Sequence, residues 1–161
     1  MRSKRVKYIT QAAMIAAIYV VLTLFISAFH LASGAIQIRI SEALTVLPAF
    51  TPAAIPGLFI GCFISNLISG GLILDVIFGS LATLIGACGT YLLRKWKWTV
   101  PIPPILSNVL IVPFVLAYVY NLPGGVPYFM VTVGIGQIIS CGVLGMIVYG
   151  IIAKHRNVIF K

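Results

Sequence analysis

From residue 8 to residue 31 the chain carries no Asp, Glu, Lys or Arg, a run longer than the roughly 20 apolar residues an α-helix needs to cross a bilayer. Five more apolar runs follow, at about 37–50, 53–68, 72–93, 102–120 and 127–153. Ser-Gly, Thr-Pro and Gly-Gly breaks, a basic-aromatic stretch and an Asn-Leu-Pro-Gly-Gly loop separate them. With 61% hydrophobic and 8% charged residues the chain lacks the polar surface of a soluble domain. Gly and Pro recur inside the runs, as they do in membrane helices, and the ten-residue alternation of a strand barrel is absent from the sequence. The pattern predicts an all-α integral membrane protein with six transmembrane helices forming one membrane domain over 1–161.

Charge sets the expected orientation. Arg2, Lys4, Arg5 and Lys7 precede the first run; Arg94, Lys95 and Lys97, with Trp96 and Trp98, follow the fourth; Lys154, Arg156 and Lys161 follow the sixth. If the N-terminus is cytoplasmic, six spans put ten of the eleven basic residues on the inside, as the positive-inside rule requires. N- and C-termini are therefore expected in the cytoplasm, and only Arg39 falls on the other side. A cleavable signal peptide is the alternative for the first run, which is longer than the about 7–15 residues of a signal core. The net charge of +9 does not point to nucleic acid, because these residues sit in short flanks between spans instead of on one folded face.

Other chemistries find little support. Cys62, Cys88 and Cys141 are odd in number and widely spaced, without a metal-ligand pattern. His30 and His155 have no acid or second His at ligand spacing, which leaves no metal, cofactor or enzymatic centre to propose. No P-loop occurs, so ATP hydrolysis would have to lie on another chain.

What remains is a set of polar residues at one depth. Arg39 and Glu42 stand in an apolar run, and the chain's other acid, Asp75, opens the fourth span; ionisable groups at membrane depth are functional candidates by default. With a cytoplasmic N-terminus, Arg39, Glu42, Asn66, Asp75, Tyr118, Tyr120, Asn121 and Tyr128 fall near the outer face, and Gln137 about halfway down. Asp75, Gly79, Thr83, Gly86 and Thr90 recur at three- and four-residue intervals, a small polar helix stripe that faces protein or water. Each has a plainer reading: Arg39 and Glu42, three apart, can simply neutralise each other, and tyrosines often belong to an interfacial belt. On the first span Ala12, Ala13, Ala16 and Ala17 make two overlapping small-xxx-small pairs, which suit a partner helix or packing within the chain equally well.

Four segments carry a resemblance: Ile-Gln-Ile-Arg-Ile-Ser-Glu-Ala-Leu-Thr-Val-Leu-Pro at 36–48, Gly-Cys-Phe-Ile-Ser-Asn at 61–66, Asp-Val-Ile-Phe-Gly-Ser-Leu-Ala-Thr at 75–83 and Pro-Pro-Ile-Leu-Ser-Asn at 103–108. Together they resemble the QueT family of queuosine-precursor transporters, substrate-binding S components of energy-coupling factor (ECF) transporters. The resemblance implies an S-component-like bundle in the bacterial cell membrane. It would capture a deazaguanine such as queuine or an aminomethyl or cyano precursor outside and pass it inward with an ECF coupling subunit and two ATPase subunits. It also implies that the alanine pairs dock on the coupling subunit. For such a ligand, Glu42 or Asp75 would read the base edge and the other meet an amine, with Asn66 and Gln137 adding hydrogen bonds, Gly79 in the same polar stripe, and Tyr118 or Tyr128 stacking on the ring. Arg39 would bind, or orient Glu42. An S component for another vitamin-like solute and a stand-alone small-solute transporter remain alternatives.

Overall fold

The computed structural model describes residues 2–28 and 39–159 and is helical throughout its regular structure. The elements are α1 (Arg2–Ala28), a 3-10 helix (Ile40–Ala49), α2 (Ala54–Ile68), α3 (Ile73–Leu92), α4 (Ile102–Phe114), α5 (Val126–Gln137) and α6 (Gly145–Ile159). A π-helical stretch, Val115–Val119, prolongs α4, and another, Ile138–Leu144, joins α5 to α6. The helical stretches from α2 to the π extension of α4 run Ala54–Ile68, Ile73–Leu92 and Ile102–Val119, and α5 begins at Val126. His30, the Ser33-Gly34 break and the expected start at Gln37 lie outside the described residues.

Four helical stretches, Lys4–Ala28, Ile73–Leu92, Lys97–Val119 and Val126–His155, are long and apolar enough to cross a membrane. Ile40–Ala49 and Ala54–Ile68 are apolar but shorter. The expected second span differs most: it is a 3-10 helix of 10 residues, where such helices rarely exceed 3–4 residues. Its composition explains the winding. Ile40, Thr45 and Val46 are β-branched, Pro48 has no N–H to donate, and the Thr45 hydroxyl occupies the Glu42 carbonyl at 2.6 Å. Pro113 acts similarly in α4, where the backbone reaches π spacing directly afterwards, Tyr120 N–H bonding Val115 O at 3.1 Å.

Glycines set how closely the helices approach. A Cβ on Gly57 would lie 2.7 Å from the Ala12 carbonyl oxygen, and one on Gly61 2.8 Å from Tyr19 Cβ, so α1 and α2 cross at near-backbone contact. Ile15, Tyr19, Leu47, Ala54, Leu58, Cys62 and Ala87 pack around that crossing. A second cluster, Val112, Leu116, Phe129 and Val133, joins α4 to α5. The outward rows are as apolar as the core: Ile73 is 71% and Val131 62% exposed, the kind of surface that faces lipid or a protein partner.

Successive segments reverse direction. Tyr8 donates to the Pro52 carbonyl, the Thr51 hydroxyl donates to Gln11 Oε1, and the Phe50 ring lies tilted against Tyr149 in the second turn of α6, which gathers the start of α1, the end of the 3-10 helix and α6 at one end. The basic flanks Lys4, Arg5, Lys7, Arg94, Lys95, Lys97 and Lys154 share that end. The end of α1, the start of the 3-10 helix and the α2–α3 and α4–α5 turns form the other.

Candidate functional site

At this second end the helices part around a cavity of about 740 Å3. Its polar wall is Thr23 and Ser27 of α1, Arg39 and Ser41 at the 3-10 start, Asn66 and Ser69 at the end of α2, and Asp75 in the first turn of α3. Tyr120, Tyr128, Phe129, Val112 and Leu116 give it an aromatic and apolar side. Of the predicted site residues, Arg39, Asn66, Asp75 and Tyr128 meet there.

Asp75 is half-buried and held. Tyr120 donates its hydroxyl to Asp75 Oδ2 at 2.8 Å and accepts the Leu72 N–H at 3.3 Å. Among the described residues no donor is bonded to Oδ1, which lies on the Gly79 side, 3.6 Å from where a Gly79 Cβ would stand. The Asn66 amide is 3.1 Å from that same point, so Gly79 stands behind Asp75 and Asn66, and its missing side chain lets both groups sit close together. Asn66 is itself anchored, its backbone carbonyl accepting the Gly71 N–H at 2.9 Å and its side-chain amide donating to Cys62 Sγ at 3.6 Å. Arg39 lies within Coulombic reach of Asp75, Glu42 and Tyr19. The cavity therefore offers an acid, a guanidinium and an amide on one wall, opposite aromatic rings.

Four predicted residues do not line it. Glu42 is only 1% exposed and lies behind Arg39 and Ser41, where its Oε1 accepts the Tyr19 hydroxyl at 2.5 Å. Among the described residues it forms no ion pair with Arg39, and its Oε2 has no hydrogen-bond partner. Gly79 is the spacer just described. Tyr118, 71% exposed, stacks on Phe114 on the outer apolar face. Gln137 is buried in the bundle and accepts the Cys141 thiol at 3.0 Å. The alanines divide as well: Ala16 is buried at the α2 crossing and Ala12 is half-buried there, whereas Ala13 and Ala17 are exposed.

Tyr19, Thr23 and Ser27 had not been singled out by sequence. Their four-residue spacing is a polar stripe on α1 comparable to that of α3, and Tyr19 sits too deep for an interfacial belt; both were readable signals. Tyr120 was visible only as one of several aromatics.

Among the described residues no group of His, Cys, Asp and Glu is arranged to hold a metal ion. No solved structure matches this chain. A queuosine precursor transporter of Lactococcus lactis subsp. cremoris (strain MG1363) is 38% identical over 98 residues, covering 60% of this chain and 57% of the relative. The chain thus aligns with little more than half of that protein's length. The QueT transporter family matches residues 9–154, nearly all of the sequence, including every residue that lines the cavity; on that match, the chain belongs to the QueT transporter family.

Proposed function

We propose that this chain is the substrate-binding S component of an ECF-type importer in the bacterial cell membrane, taking up a queuosine precursor of the deazaguanine class. The observation that carries the reading is that Asp75 and Arg39 line one wall of a cavity whose volume suits a small heterocycle. A guanine-type edge presents adjacent N–H donors beside a carbonyl oxygen. A carboxylate accepts the donors and a guanidinium donates to the oxygen. Asp75 takes the first role and Arg39 the second; Asn66 adds a hydrogen bond, and Tyr128 and Phe129 hold the ring plane. The relative's name as a queuosine precursor transporter supports the same ligand class.

In this reading the six helical segments all span, the two short ones as a pair of thin walls, with both termini cytoplasmic and the cavity open to the outside. The basic flanks at the opposite end support that orientation. Transport energy comes from partner ATPases through a coupling subunit, which meets α1 along the exposed Ala13 and Ala17, while Ala12 and Ala16 serve the α2 crossing.

The test is direct binding of queuine, the aminomethyl and cyano deazaguanines, queuosine nucleoside, guanine and common vitamins to the purified protein. Binding of a deazaguanine in preference to the rest is the expected result, and binding of a vitamin alone overturns it.

A further inference from the structure

Glu42 is a carboxylate buried at membrane depth that does not reach the cavity, and the ligand-binding reading above leaves it without a task. Its surroundings supply one. The segment that carries it is a long 3-10 helix, a winding whose internal hydrogen bonds are too poor to sustain ten residues unaided. The register of this segment therefore depends on what grips it from outside.

Two side-chain rungs tie it to α1. The Ser41 and Thr23 hydroxyls share a hydrogen bond at 2.8 Å, with Thr23 itself donating to the Tyr19 carbonyl, and one turn deeper Tyr19 donates to Glu42 Oε1 at 2.5 Å. The first rung borders the cavity; the second is fully enclosed, Tyr19 and Glu42 each being 1% exposed. On the far side the Cys141 thiol approaches the Glu42 carbonyl at 3.5 Å, and Gly145 admits Val46 so closely that an added Cβ would lie 3.0 Å from its Cγ1. The segment is thus gripped between α1 and the π-helical stretch, and Glu42 is the polar residue at the centre of that grip. Arg39 is the extended N-cap of this segment, and its carbonyl accepts the Glu42 N–H at 3.0 Å, so its position follows that of Glu42. A slip of one residue in the segment would therefore re-aim Arg39 away from Asp75.

We propose that Tyr19 and Glu42 form a buried latch that fixes the register of the 3-10 helix and so presents Arg39 and Ser41 to the cavity. Glu42 is a positioning residue that acts as an acceptor for Tyr19. It is not a ligand contact. The consequence for transport rests on the binding reading above; the geometric role does not.

The experiment keeps the two separable. Arg39→Cys in a Cys88→Ser background is labelled in detergent-purified full-length protein with a polar maleimide, no ligand being needed. Glu42→Ala and Tyr19→Phe are expected to change its labelling rate at least about tenfold, whereas Glu42→Gln, which keeps an acceptor oxygen for the Tyr19 hydroxyl, is expected to stay within about threefold. In parallel, with Arg39 intact, Glu42→Ala and Tyr19→Phe weaken binding of every deazaguanine that the unmodified protein binds, by about the same factor, and Glu42→Gln rescues it. Unchanged labelling in both Glu42→Ala and Tyr19→Phe overturns the latch. So does a Glu42→Gln variant that labels normally but loses affinity only for amine-bearing ligands, which makes Glu42 a ligand contact. If labelling shifts as expected and no deazaguanine binds even the unmodified protein, the latch stands and the binding reading falls. Should Glu42→Ala not fold, the Tyr19→Phe and Glu42→Gln pair decides alone.

Discussion

Tyr120 and Asp75, 45 residues apart, share a 2.8 Å hydrogen bond that closes the start of α3 against the end of the α4 helix. Tyr120 occupies one carboxylate oxygen; if the other takes the ligand, as proposed above, the two residues should differ sharply on substitution. Asp75→Asn replaces a charged acceptor and is expected to cost about 1.5–3 kcal/mol, roughly 10- to 150-fold in affinity. Tyr120→Phe removes only an orienting bond and is expected to cost about 0.5–1.5 kcal/mol. Titration calorimetry with a bound deazaguanine gives both numbers; equal losses would contradict the division of roles.

The α1–α2 crossing predicts a purely structural defect. Gly61→Val sets two methyl groups against Tyr19 and the Ala16 backbone, where even a Cβ lies 2.8 Å from a neighbour. Overpacking of this kind costs about 1–3 kcal/mol. A lowered thermal unfolding midpoint in detergent, with the midpoint of the Gly150→Ala control not lowered because no atom lies within 4 Å of its added Cβ and Ala favours the helix, is the expected result.

Partner docking separates the alanines. Ala13→Trp together with Ala17→Trp alters only exposed positions of α1 and is expected to abolish co-purification with a coupling subunit while ligand affinity stays within about twofold, because neither residue borders the cavity. Loss of ligand binding in the same double variant would show that this face is internal.

Orientation is open to a chemical test. In a Cys88→Ser background, Gly125→Cys in the loop at the cavity end should react with an impermeant maleimide on intact cells, and Trp96→Cys at the basic end only after permeabilisation. The reverse pattern would invert the cavity and remove the uptake reading.

The sequence made the apolar helices legible because lipid exposure forces long uncharged runs, and α2, α3 and α4 begin where Pro, Gly and basic residues interrupt them. Asp75, Asn66 and Arg39 were legible as candidates for the same reason: polarity is costly in hydrocarbon, so its presence needs a purpose. What could not be read was direction. Glu42 and Asp75 look alike in the sequence, and only the tight 3-10 winding turns the first inward to Tyr19. Tyr118 and Tyr120, two residues apart in a π-helical turn, take opposite surroundings for an equally local reason, one on the outer apolar face and the other against Asp75. Winding depends on competition among neighbouring hydroxyls, prolines and packed backbones, and the usual 3.6-residue periodicity does not register it.

The 3-10 helix also makes contour length a variable. Ten residues rise about 20 Å in this winding and would rise only about 15 Å as α-helix. Rewinding the segment would therefore draw its two ends about 5 Å closer without unfolding either. Phe50 is braced by its tilted ring contact with Tyr149 at one end, so the displacement would fall on Arg39 at the other, drawing the guanidinium down the bundle axis and away from the mouth where Asp75 is fixed.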